Sequence, residues 1–470
     1  MLSIQPVTWA ASVLTTVTLP RLLSADALGQ LTIAFTISGL ASTATGLGIT
    51  DFMVRRAAQQ PGTLRRDAGA ALALQSITAL VAAFAIFTLG PMLTSSFLDP
   101  RLLIVMLVPM LGTPVQNILL ASLRGQEAHA RYAWFNAGGT VVSAVVGVLV
   151  LAAGGDVVAS VGVASALVIA FNVVAWKYSG VGISLSFDRS VISHFWELAR
   201  GGLPFVAWQL TLVAYGQVDK LIMGGLVPTM EVGWYAAAYR IIGVVVFVPT
   251  LVITPLFPAL SRCADDRPLL RRTVAQTIRL LLLLMIGMAA GTIVVASAVP
   301  SLLGWPSDYE HAVPLMMILA VHEPLVAIDM VLGVVLMAIH RERPWVVVGV
   351  LATAFNVASN YVAIPFFEHL LGDGAAGASI TTVLTEILMF AGAVYLIPKS
   401  VFDPKLISQG ARLALAGVAA VAVGFTSLHL TVFIAGPAAA ITYIGVVMLL
   451  HVVTVEDLDP VRARFAGLAH

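Results

Sequence analysis

Seven ionisable residues fall within stretches apolar enough to cross a membrane: Asp51, Asp219, Lys220, Arg240, Glu323, Asp329 and Glu386. A charge in hydrocarbon is costly, so such residues face a cavity, a partner or water. Asp51 stands four residues before Arg55, the spacing of an ion pair at a helix end. Asp219 and Arg240 flank a turn at Val227–Glu231, and an antiparallel hairpin brings them to one depth. They read as an ion pair that holds the hairpin. Alternatively Arg240, with Lys220 nearby, presents donors to a phosphate, for which the planar guanidinium fork is suited. Both roles can hold at once. Glu323 and Asp329 share one later span and Glu386 lies in another. Each reads as a protonated carboxyl bonded between helices, or as an ion-coupling group, because a carboxyl out of water can exchange protons near neutral pH. The run His322-Glu323-Pro324 predicts a kink. Asn356 and Asn360, one turn apart, suit interhelical hydrogen bonds or contact with a sugar.

Other chemistry is excluded. Cys263 is the single cysteine, so no intramolecular disulfide, CxxC site or thiol relay exists. There is no GxxxxGK[ST] phosphate loop, and the residues around His322 lack HExxH spacing. No metal or organic cofactor is expected, which leaves an ion gradient (H+ or Na+), the membrane potential or downstream consumption of the product as the energy source. A net charge of +1 gives no basic excess for nucleic acid.

The elements that carry these residues follow from composition. Hydrophobic residues make up 59% of the 470 and charged ones 10%, against about 25% charged in soluble proteins. Mean hydropathy is +0.97. That excludes a soluble enzyme and predicts an all-α, polytopic membrane protein. Fourteen stretches are long enough to span: 4–20, 28–52, 68–92, 101–122, 133–153, 156–176, 202–226, 232–258, 274–299, 311–338, 345–366, 376–397, 407–427 and 430–453. With both termini cytoplasmic, 21 of the 25 Lys and Arg fall on the inner side and only Arg21 and Arg101 outside, as the positive-inside rule requires. Omitting any one span destroys that alternation. The first span is short and has no basic residue before it, which argues against a cleaved signal peptide. The segment His194-Phe195-Trp196-Glu197-Leu198 is amphipathic and is expected to lie along the membrane surface.

The chain also repeats itself. Leu28-Gly29 aligns with Val232-Gly233 at an offset of 204, and Leu120–Arg124 with Met337–Arg341 at a similar offset. Two six-helix lobes related by a pseudo-two-fold are therefore expected at 1–200 and 201–400, with two further helices and a tail at 401–470.

Four motifs in order resemble the polysaccharide and oligosaccharidyl-lipid flippases, the O-antigen-flippase-like branch of the multidrug/oligosaccharidyl-lipid/polysaccharide exporter superfamily. They are Pro20–Ser24 with Leu28-Gly29; Asp219–Gly224 with Val232–Arg240; Pro255 with Pro258–Arg262; and Asn356, Asn360, Ile364-Pro365, Gly374–Ala378 with Glu386. The family's basic N-terminal stretch is absent. The resemblance implies a non-enzymatic exporter in the bacterial cytoplasmic membrane, moving a polyprenyl-pyrophosphate-linked oligosaccharide by alternating access. It also implies collaboration with a polysaccharide polymerase and a priming glycosyltransferase. The embedded charges number two basic and five acidic, an uneasy match to an anionic head group. A cation-coupled multidrug exporter of the same superfamily is therefore the alternative. A membrane polymerase or glycosyltransferase fits poorly, since the outer loops are short and the first carries only Asp26.

Overall fold

The computed structural model describes residues 5–94, 98–184, 190–263 and 266–452; Arg189 and the basic tail residues Arg462 and Arg464 lie outside them. Among the described residues all regular structure is helical. The first helices are α1 (Gln5–Leu22), α2 (Ala25–Thr45), α3 (Ile49–Gln59), α4 (Leu64–Thr94), α5 (Pro100–Val105), α6 (Leu107–Gly125), α7 (His129–Ala152) and α8 (Val157–Ser179). Two long helices follow, α9 (Ser190–Leu226) and α10 (Thr229–Arg262). The last are α11 (Arg267–Val295), α12 (Val299–Leu303), α13 (Ala312–Ala320), α14 (Glu323–Ala338), α15 (Glu342–Leu371), α16 (Gly374–Leu396), α17 (Lys405–Ser427) and α18 (Val432–Leu449).

Eleven helical stretches are long and apolar enough to cross a membrane, and the bent pair that includes α13 and α14 makes a twelfth. Helices α1 and α9 lie at the other two expected positions, so the set is consistent with fourteen crossings. Phe84, Ile441 and Met448 are exposed while Gln75, Asn172 and Asn360 are buried. A bundle with apolar residues outside and amides inside is built for lipid.

The chain forms two compact units. One comprises Met1–Ala237 with Asn360–Ala375, the other Ala238–Ser359 with Ala376–His470. In the first, α7 packs on α8 and α1, α4 on α6, and α2 on α9. One of its core clusters includes Ile49, Met53, Ala68, Ile118 and Leu198. In the second, α11 packs on α14, α17 and α18, around Met285, Val331, Val335, Leu413 and Ala435.

Within the second span Leu47 and Gly48 adopt positive φ of 51° and 63° and separate α2 from α3, while Ala25–Gln59 remains one stretch long and apolar enough to cross a membrane. One sequence expectation is corrected. The amphipathic segment at 194–198 does not form a separate surface helix. It belongs to α9, one continuous helix of 37 residues, and buries His194 and Leu198 while Trp196 stays exposed.

The internal repeat has a structural counterpart within the first unit. A Cβ on Gly29 would lie 1.8 Å from the Thr229 carbonyl oxygen, and one on Gly233 would lie 1.8 Å from that of Ala25. Ala25 and Thr229 are separated by the same 204 residues as Gly29 and Gly233. Each partner thus presents the equivalent position to the other, as a two-fold contact demands. Only glycine permits that backbone approach. The Thr229 hydroxyl donates to the Asp26 carboxylate beside it.

Candidate functional site

Helix α14 starts where one candidate membrane span bends. Helix α13 stops at Ala320, α14 begins at Glu323, and the two segments meet at 43°. Pro324 sits in the first turn of α14, where its missing N–H is tolerated and its ring cannot continue the preceding helix. The kink expected at His322-Glu323-Pro324 is therefore present as a break. The His322 Nδ1–H donates to the Leu319 carbonyl, which fixes its tautomer. Its ring lies 6.1 Å from that of Tyr239, measured between centroids.

Glu323 is 0% exposed, and neither carboxylate oxygen meets a hydrogen-bond partner among the described residues. Asp329, nearly two turns further along α14, is also buried and both of its oxygens lack a hydrogen bond of normal geometry. It lies close enough to Glu386 of α16 for the two carboxyls to interact. Like-charged carboxyls so close are held more cheaply when they share a proton. The structure therefore brings Asp329 and Glu386 together, while Glu323 stands alone at the break. Asn356 Nδ2 donates to Thr385 Oγ1 at 3.2 Å, and that hydroxyl donates to the Thr381 carbonyl at 2.7 Å. Asn356 is thus a tie from α15 to α16. Arg240 is half-buried and lies within electrostatic reach of Tyr309, a fully buried phenol.

In the first unit, the expected pairing of Asp219 with Arg240 is replaced by another arrangement. Asp219 accepts from the Tyr235 hydroxyl and from the backbone N–H of Lys220 at 2.8 Å. Its nearest cation is the Lys220 ammonium, at 3.8 Å. Lys220 itself folds back on α9, donating to the Gly216 carbonyl at 2.9 Å and the Gln217 side chain at 3.0 Å. Tyr235 stands four residues after Glu231 on the facing helix, and a tyrosine hydroxyl gives no charge signal in a sequence. Asn360 is fully buried. The expected helix-end pair of Asp51 with Arg55 is also replaced: Asp51 meets Arg124 at 3.3 Å and accepts from Gln209 at 2.7 Å.

Several polar residues had no local signal at all. Asp67, 1% exposed, contacts Arg56 at 3.4 Å, His194 at 3.0 Å and the Thr63 hydroxyl at 2.8 Å. Arg56 and His194 each reach Glu197, at 2.9 and 3.2 Å. This network binds α3, α4 and α9. Elsewhere in the first unit, Glu231 and Glu368 accept from the first N–H groups of α16, at Ala375 (3.2 Å) and Gly374 (3.0 Å). Carboxylates there satisfy orphan donors at a positive helix end.

Against known proteins, residues 18–314 match the family described as Polysaccharide biosynthesis protein. That stretch is more than half of the chain. The chain belongs to this family. A relative within reach of sequence comparison is the probable flippase AglR of Haloferax volcanii, 27% identical over 267 residues, 55% of this chain and 54% of that protein. The chain thus matches about half the length of that curated relative. Among solved structures, the lipid II flippase MurJ in an inward closed conformation superposes with a TM-score of 0.79, covering 96% of this chain and 99% of that one at 12% identity. An inward-facing multidrug resistance transporter of the MATE family gives 0.66 at 14% identity, over 82% and 93% of the two chains. This polysaccharide biosynthesis family member therefore shares its fold with both, and is a multi-pass membrane protein.

Proposed function

We propose that the protein carries a lipid-linked oligosaccharide, a polyprenyl pyrophosphate bearing a polysaccharide precursor, across the bacterial cytoplasmic membrane by alternating access. What supports this is a polysaccharide biosynthesis family match carried on a fold shared with a lipid II flippase. Residues 1–200 and 201–400 are the two lobes, 401–470 the added helices, and both termini are cytoplasmic. Arg240 is the cation offered to pyrophosphate. Lys220 and Asp219 position the hairpin beside it, and Asn356 and Asn360 order the helices that line the path. Glu323, Asp329 and Glu386 couple movement to H+ or Na+, because carboxyls buried in a membrane bundle are held most cheaply when they carry a proton or a cation. The protein performs no catalytic step itself, needs no organic cofactor, and works with a priming glycosyltransferase upstream and a polymerase downstream.

A second reading has its own observation. The buried acids of α14 and α16 and the fold shared with a multidrug transporter suit a cation-coupled drug exporter. One experiment separates the two. Purified protein is placed in liposomes that contain undecaprenyl-pyrophosphate-linked disaccharide, and exposure of the sugar is followed with an impermeant glycosidase. The flippase exposes a lipid pool that protein-free liposomes protect. A pool that stays protected, with efflux of a fluorescent organic cation instead, contradicts the flippase and selects the exporter.

A further inference from the structure

Helices α1, α2, α6, α7 and α8 of the first unit line an open-mouthed cavity of about 490 Å³, within the range of about 300–1,000 Å³ for small-molecule sites. Its polar lining includes Thr113, Gln116, Thr140, Ser143, Ser165 and Asn172, and none of its lining residues is ionisable. Two of these hydroxyls have the ordinary partner of a transmembrane threonine, a carbonyl one turn back: Thr113 donates to Pro109 and Thr140 to Asn136, at 2.9 and 3.1 Å. The amides differ. Asn172 is 2% exposed, yet neither it nor Gln116 makes a hydrogen bond to any described residue. A primary amide offers two donors and an acceptor, and leaving them unmet in a membrane bundle is costly. A cavity that gathers unmet amides and hydroxyls awaits a ligand that both donates and accepts.

We propose that this cavity is a saccharide subsite, taking one uncharged sugar residue of the lipid-linked substrate. This rests on the oligosaccharide reading above and adds where the sugar is recognised. Uncharged hydroxyls match the lining in both senses of hydrogen bonding. A pyrophosphate calls for cations and an organic cation calls for acids, and the cavity supplies neither. Phe35 adds an aromatic surface for the C–H side of a sugar ring. Recognition of the sugar is thereby separated from the ionisable residues of the second unit.

The test uses the full chain in lipid nanodiscs with two probes, undecaprenyl pyrophosphate and the same lipid carrying a disaccharide. Affinities are measured by microscale thermophoresis for wild type, Asn172→Leu, Gln116→Met and the milder pair Thr140→Val and Ser143→Ala, which serves if a core variant does not assemble. Wild type prefers the sugar-bearing lipid by about 10-fold, the weight of one or two well-made hydrogen bonds. Each assembled variant loses most of that preference while its affinity for the bare lipid is unchanged. Variants that retain the preference overturn the subsite. Equal wild-type affinity for both lipids also overturns it, and leaves the flippase standing. No binding of either lipid removes the flippase and the subsite together.

Discussion

Two buried carboxyls in this protein, Asp67 and Glu323, are built on opposite principles. Asp67 is surrounded: Arg56, His194 and Thr63 all contact it, and Glu197 closes the network from the far side of Arg56 and His194. Glu323 is more completely buried and has no hydrogen bond among the described residues, at a point where its own helix is broken. A buried charge with its counter-charges is architecture, since removing one partner leaves the others stranded. A buried acid without partners weakens the fold that contains it, and such groups persist at sites of function. Burial alone therefore does not separate structural from working residues; the company each carboxyl keeps does.

The contrast predicts opposite responses to one substitution. Asp67→Leu strands His194 and Arg56 and lowers stability by about 3–5 kcal/mol, seen as a large fall in folded protein and in thermal midpoint. Glu323→Leu removes an unmet polar group and leaves stability unchanged or raises it by about 1–3 kcal/mol. Equal destabilisation by both would erase the distinction.

The hairpin residues sharpen it at a middle scale. Tyr235→Phe leaves the Asp219 carboxylate without its hydroxyl donor and costs about 1–3 kcal/mol, read from thermal unfolding. Exchanging Asp219 and Arg240 restores nothing, because Asp219 is held by Tyr235 and Lys220. Recovery of folded protein by the exchange would reinstate the direct ion pair.

The smallest effect belongs to Asp403, between α16 and α17. Partial burial acts against its charge, but the Lys405 N–H and the Arg271 guanidinium outweigh it and hold the carboxyl below its ordinary range. A lowered pKa means that the contact stabilises the fold above the unfolded value and is lost as pH falls through the folded one. Asp403→Asn thus lowers the thermal midpoint by less than about 2 °C near pH 7. Acidification below the folded value abolishes the difference, and a difference that grows on acidification contradicts the assignment.

The sequence carries the scaffold well and the contacts poorly, for definite reasons. Span positions are legible because each crossing repeats a strong apolar signal and every second loop a basic one. The α13–α14 break is legible at Pro324, and the α2–α10 approach in the register of Gly29 with Gly233. Partners distant in the chain are not. Asp51 looks paired with Arg55 because helical spacing is the only geometry a sequence displays, whereas Arg124, 73 residues away, is the neighbour in space. Asp67 and His194 give no sign of each other for the same cause. The cavity at Asn172 escapes because its lining is gathered from five helices far apart in the sequence.

The central claim is that the solitary carboxyl at the helix break couples transport to an ion. Proteoliposomes with the sugar-bearing lipid are assayed with and without an imposed pH gradient, for wild type, Glu323→Gln and Glu386→Gln. Glutamine keeps the shape and removes the titration, so Glu323→Gln assembles normally and loses the gradient-dependent part of transport. Glu386→Gln, whose partner is Asp329, shows a milder loss. Equal gradient stimulation of wild type and Glu323→Gln would contradict the claim.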